Sequence, residues 1–109
     1  MSDAHPGIDI TRQPIGTTIL VETDTGLHEL IVVNPQQATV QITGSDPRFH
    51  KPILGRLLQS VSALEPLVKL NHWIGRAMKM VIAFRGEPYT SGIVLSATVK
   101  GPGWHYDVF

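Results

Sequence analysis

The sequence predicts an all-β domain, a small antiparallel and partly closed β-barrel. Three observations carry this. Runs rich in β-branched residues recur, such as Thr17-Thr18-Ile19-Leu20-Val21-Glu22-Thr23. Turn residues punctuate them closely, at Asp24-Thr25-Gly26, Asn34-Pro35-Gln36, Gly44-Ser45-Asp46-Pro47 and Arg85-Gly86-Glu87-Pro88. Apolar residues also fall on both faces of several strands, which suits a closed sheet better than one with a wet side.

The elements follow in order. Residues 1–16 carry Pro6, Gly7, Pro14 and Gly16 and read as an irregular N-terminal arm, joining the fold at Ile8 or Ile10. Residues 17–109 read as one barrel-like domain. Residues 17–23 form its first strand, and the Asp24-Thr25-Gly26 turn needs the φ > 0 that glycine adopts freely. The return strand runs from Leu27 to Val33, with Leu27, Ile31 and Val33 on one face and Leu30, Val32 and His28 on the other. His28 taken alone reads as an exposed strand residue. Ala38-Thr39-Val40-Gln41-Ile42-Thr43 alternates, with Ala38, Val40 and Ile42 facing inward. These strands make an antiparallel meander over residues 17–43.

Residues 52–68 support two readings. Leu54, Leu57, Leu58, Val61, Leu64 and Val68 recur at helical spacing, which predicts one short helix. Gly55 and Pro66 weaken that, and a strand over 56–61 followed by a loop is the rival. Met78, Met80, Ile82 and Phe84 then share a strand face. A partner strand over 93–100 sets Ile93, Leu95, Ala97 and Val99 against Val94, Ser96, Thr98 and Lys100. An aromatic tail follows, Trp104-His105-Tyr106-Asp107-Val108-Phe109.

Several motifs resemble those of a family of small, uncharacterised bacterial β-rich proteins. Ile42-Thr43-Gly44-Ser45 is similar to its first turn, Trp73-Ile74-Gly75 with Met78-Lys79-Met80 to its Trp-Ile-Gly…Met-x-Met motif, and Thr90-Ser91-Gly92 to its closing strand. The resemblance covers roughly residues 18–98 and implies a β fold without implying an activity. Ala77 stands where the family motif has its second Gly, Ala63-Leu64-Glu65 where it has Gly-Gly-Ser, and Gly92 where it has Pro.

Composition narrows the function. The chain has 109 residues, nine Lys plus Arg, nine Asp plus Glu, and no Cys. That length predicts one domain with a modest core. Without Cys there is no disulfide, thiolate nucleophile or Cys-ligated metal. The start, MSDAHPGIDI, lacks the pattern of a signal peptide, and no apolar run is long enough for a membrane helix. The expected compartment is therefore the cytoplasm, with no membrane partner.

No nucleophile elbow, phosphate loop, dinucleotide fingerprint or paired-histidine metal motif occurs, so no catalytic residue and no cofactor is assigned. A metal-dependent enzyme would need scattered histidines to converge, with His50, His72 and His105 the candidates. Single-stranded nucleic acid would need aromatics among bases, and the candidates are a stripe of Lys69, Trp73, Arg76 and Lys79 and the pair Trp104 and Tyr106 near Lys100. Zero net charge and the absence of a ribonucleoprotein motif argue against it.

Self-association is the remaining reading, with a scaffold or binding module working as a homo-oligomer, a dimer first of all. Only 17% of residues are charged. Trp73, Trp104, Tyr106 and Phe109 offer aromatic surface for an interface, flanked by Lys69 and Arg76. Residues 1–47 hold six acids against Arg12 alone, while residues 48–109 hold eight bases against three acids. Opposite patches of that kind would steer two copies together.

Overall fold

A computed structural model describes residues 7–64, 68–101 and 104–108. The strands, in chain order, are β1 (Gly7–Asp9), β2 (Thr18–Thr23), β3 (Gly26–Asn34), β4 (Thr39–Gly44), β5 (Ile53–Ser62), β6 (Lys69–Asn71), β7 (Trp73–Gly75), β8 (Met78–Phe84), β9 (Glu87–Gly101) and β10 (Trp104–Asp107). Single 3-10 turns occur at Ile10–Arg12, Pro35–Gln37 and Pro47–Phe49, and no α-helix occurs among the described residues.

Strands β2 to β5 pair in succession as an antiparallel meander. β5 then pairs with β8, β8 with β9, and β9 returns to β2. Backbone hydrogen bonds thus pass in a ring through six strands, which is the expected all-β, partly closed, barrel-like architecture. The β2–β3 turn is tight because Thr23 pairs with Gly26, whose φ is +151°. The Thr23 hydroxyl donates to the Gly26 carbonyl at 3.0 Å and closes that turn.

Alternation fills the ring. Ile19, Val21, Leu30, Val32, Val40, Ile42, Met78, Met80 and Ile82 are all buried. Over one end lies a two-stranded sheet in which β1 pairs with β7. Ile8 and Ile10 enter the core there, and the Ile10 N–H donates to the His72 carbonyl at 3.0 Å.

Three expectations are corrected. Residues 53–62 are strand, not helix. Both β4 and β8 offer ladders to this segment, and paired backbone outweighs a helical leucine spacing. That spacing reflects a register shift between Leu57 and Gln59. Leu57 turns inward before the shift and Ser60 and Ser62 after it, while Leu54 is 60% exposed. Residues 65–67 of the same stretch lie outside the described residues.

The second correction concerns residues 93–100. Glu22 pairs with Ser96 and Thr23 with Val94, so Leu95 is a bulge residue. The bulge resets the alternation. Val94, Ala97 and Val99 turn inward, and Leu95 stays 49% exposed. The third concerns the 85–88 turn. Glu87 and Pro88 already belong to β9, leaving only Arg85 and Gly86 outside the strands.

Ala77, between β7 and β8, sits at φ +63°, in the left-handed region that penalises a Cβ. Ala77→Gly is expected to raise stability by about 0.5–1 kcal/mol, the strain relief exceeding the added entropy of the unfolded chain. Urea unfolding midpoints of the two proteins check this, and an unchanged or lower midpoint would contradict the strain argument.

Candidate functional site

Two of the clefts combine several polar side chains with a large aromatic residue, Tyr89 in one and Trp73 in the other. The first, about 430 Å³, is bordered by the β2–β3 turn, the turn after β4, β8 and the start of β9, and its charged residues are Asp24, Asp46, Arg48 and Lys79. Behind it lies an aromatic cluster. Phe49 meets Tyr89 edge-on at 4.9 Å between ring centroids and Phe84 at 5.2 Å. His28 lies 6.0 Å from both Phe49 and Tyr89.

Local sequence builds this corner. Asp46 caps the Pro47–Phe49 turn by accepting the Arg48 backbone N–H at 2.9 Å. The same carboxylate accepts from Arg48 Nε at 3.1 Å and Nη2 at 3.0 Å, a bidentate pair. The guanidinium is 4.6 Å from the centre of the Tyr89 ring. Arg48 is therefore held from two sides although it is exposed. These hydrogen bonds hold the Asp46 carboxyl below the usual carboxylate range.

His28 is 2% exposed, which corrects the expectation of a surface histidine. Its Nε2 lies 3.2 Å from the Tyr89 hydroxyl, and its Nδ1 has no partner. A buried N–H without an acceptor is the costlier orphan, so the neutral ring carries its proton on Nε2 and donates to Tyr89. Burial pushes the His28 pKa below its ordinary value, against a smaller upward pull from Asp46. Burial likewise raises the Tyr89 phenol.

The second cleft, about 460 Å³, opens between the β1–β7 sheet and the end of the ring. Ile8, Trp73, Val99 and Val108 supply apolar walls, and Asp9, Arg12 and Gln13 supply polar ones. Arg12 approaches Asp9 at 3.6 Å. The Trp73 indole packs so closely on the backbone that a Cβ on Gly7 would collide with its Nε1 and with the Ile74 carbonyl oxygen. That buried Nε1 has no hydrogen-bond partner.

Trp73 lines the second cleft, while Lys69 and Arg76 are exposed, on β6 and in the turn after β7. The side chains of Trp104, His105 and Tyr106, and the whole of Phe109, lie outside what is described. Of the metal candidates, His50 and His72 each face a backbone carbonyl. His50 Nε2 donates to the Ser45 carbonyl at 3.3 Å, and His72 Nδ1 to the Leu57 carbonyl at 2.8 Å. Among the described residues no group of three or more metal-ligating side chains is formed. No family model, curated protein or solved structure matches this chain.

The first cleft was the part that sequence reasoning missed. A signal for His28 existed, because it shares strand parity with Leu30 and Val32, both buried. The Asp46-Pro47-Arg48 run also has the spacing of a local capping pair. Tyr89 carried no comparable signal, because the strand containing it starts earlier than its residue pattern indicates.

His28 links this corner to stability. Its folded pKa lies below the unfolded value of 6.5, so the unfolded chain takes up the proton first. Its contribution is fully present above pH 6.5 and is lost as pH falls through the lower folded value. His28→Gln keeps a donor for Tyr89 without titrating. Urea midpoints taken from pH 8 down to pH ~4.5 are expected to fall less steeply below pH 6.5 in this variant. Equal slopes in the two proteins would remove His28 from the account.

Proposed function

We propose that the chain is a small binding module of the cytoplasm that works as a homo-oligomer. The observation that carries the binding role is the Trp73 indole N–H, buried without an acceptor in the wall of a cleft that apolar Ile8, Val99 and Val108 and polar Asp9, Arg12 and Gln13 also line. An orphaned buried donor costs about 1–3 kcal/mol, a cost that a bound acceptor removes. The cleft's make-up suits a compact apolar molecule bearing a carbonyl or carboxylate oxygen. Benzoate is the probe. Proton NMR is expected to show one of the two indole N–H signals moving saturably, and Trp73→Phe to remove that signal and weaken binding by roughly 5–10-fold. Benzoate that leaves both indole signals in place would overturn the reading.

Self-association draws on a separate observation. Leu27, Val33 and Leu54 are exposed, and Leu20 and Ile31 half-buried, on the outward parity of β2, β3 and β5. They alternate with Glu22, Glu29, Gln41 and Thr43, the mixture of a non-obligate interface. Zero net charge leaves little repulsion between two copies. Sedimentation equilibrium is expected to show a dimer at micromolar concentrations, with Leu54→Asp weakening it about tenfold or more. A single species of 12.0 kDa at every concentration would refute it.

Kinship with the bacterial Trp-Ile-Gly…Met-x-Met family belongs to the same proposal. It is supported by the left-handed backbone of Ala77, at the position where that motif carries glycine.

A further inference from the structure

We propose that the first cleft binds a small zwitterion, its ammonium on Asp24 and its carboxylate between Lys79 and Arg48. The inference is independent of the Trp73 cleft and begins with the charges. Four charged side chains line this cleft, two of each sign. Asp46 is spent, because both of its oxygens accept from Arg48. Asp24 and Lys79 are not joined to each other, for the ion pairs among the described residues are Arg12–Asp9 and Arg48–Asp46. The cleft therefore offers one charge of each sign outside those two ion pairs, beside a guanidinium whose Nε and Nη2 are taken by Asp46.

Register sets their separation. Lys79 on β8 pairs with Ile93 on β9. On the other edge of β9, Asp24 Oδ1 accepts the Ile93 N–H at 2.8 Å and the Asp24 N–H donates to the Ile93 carbonyl at 3.0 Å. The two charges thus stand on backbones flanking one strand, roughly 10 Å apart, or two strand spacings. Gly92 lies beside that crossing. A side chain there would collide with Asp24 Oδ1 and Thr25 Oγ1, so its absence lets the Asp24 turn settle onto the sheet and keeps the carboxylate at the cleft wall.

Preorganisation favours the carboxylate end. Arg48 is clamped by Asp46 and stacked on Tyr89, so little side-chain freedom remains to be lost on binding. A simple anion would meet Lys79 and Arg48 but also the Asp24 carboxylate, and a simple cation the reverse. A molecule carrying both charges satisfies each wall. The ligand class is a short amino carboxylate with a primary ammonium.

The test is an amide NMR titration of the full chain with glycine, β-alanine and γ-aminobutyrate, with acetate and methylammonium as separate controls. At least one amino carboxylate is expected to give saturable shifts at Thr25, Arg48, Gly92 and Ile93, with a Kd of ~1 mM given so few ligand atoms. Asp24→Asn retains an oxygen for the Ile93 N–H while removing the charge, and Lys79→Gln removes the opposite charge. Each is expected to weaken binding about tenfold while leaving the dispersed amide spectrum of the folded chain intact. Acetate binding as tightly as the amino carboxylates would replace the proposal with a plain anion site. Saturation by none of the three up to about 50 mM, some fifty times the expected Kd, would overturn it.

Discussion

Closure of the ring depends on one strand that serves two neighbours. β9 runs for 15 residues, pairing with β8 along its first part and with β2 along its last. Had it ended near Ile93, β8 would keep its partner but β2 would present an unpaired edge, the feature that makes open sheets prone to mispairing. A strand of that length must bend around the barrel, and the Leu95 bulge is placed to let it do so. The bulge also decides which residues fill the core, since Val94, Ala97 and Val99 face inward only because one residue is left unmatched.

Each polar cleft sits where regular pairing gives out. At one end, the connection after β4 brings Asp46 and Arg48 over the Phe49, Phe84 and Tyr89 rings. At another, the short β1–β7 sheet lies outside the main ring and leaves the Trp73 indole between two layers. Both places pair large buried aromatic surface with a few groups fixed by local hydrogen bonds. That combination allows polar atoms to be held in place without a long loop.

The meander was legible because β2, β3 and β4 obey plain alternation and their turns carry Gly, Asn and Pro at diagnostic places. Legibility stopped at the bulges. A single unmatched residue at Leu58 or Leu95 turns a period of two into something resembling a helix or the wrong strand face. The aromatic cluster was invisible for a different reason. His28, Phe49 and Tyr89 are far apart in sequence and meet only when β3, the Pro47–Phe49 turn and β9 converge. Trp73 was legible as a residue of consequence, but its buried N–H depends on Gly7 from the opposite end of the pattern. The charge imbalance between the two halves of the sequence has no simple spatial counterpart, because β2 lies directly beside β9.

The sharing of β9 also has a bearing on how the chain is made. Translation delivers β2, β3 and β4 early, and their contacts are local enough to form a hairpin stack as they emerge. The partner that completes β2, residues 94–100, is translated some seventy residues after β2 itself. Until then the outer edge of β2 and the apolar floor of the meander stay open to other nascent chains. A chain of this topology must spend its synthesis as an incomplete sheet, with its vulnerable interval set by the time needed to translate some seventy residues, at the usual rate roughly 4–14 seconds.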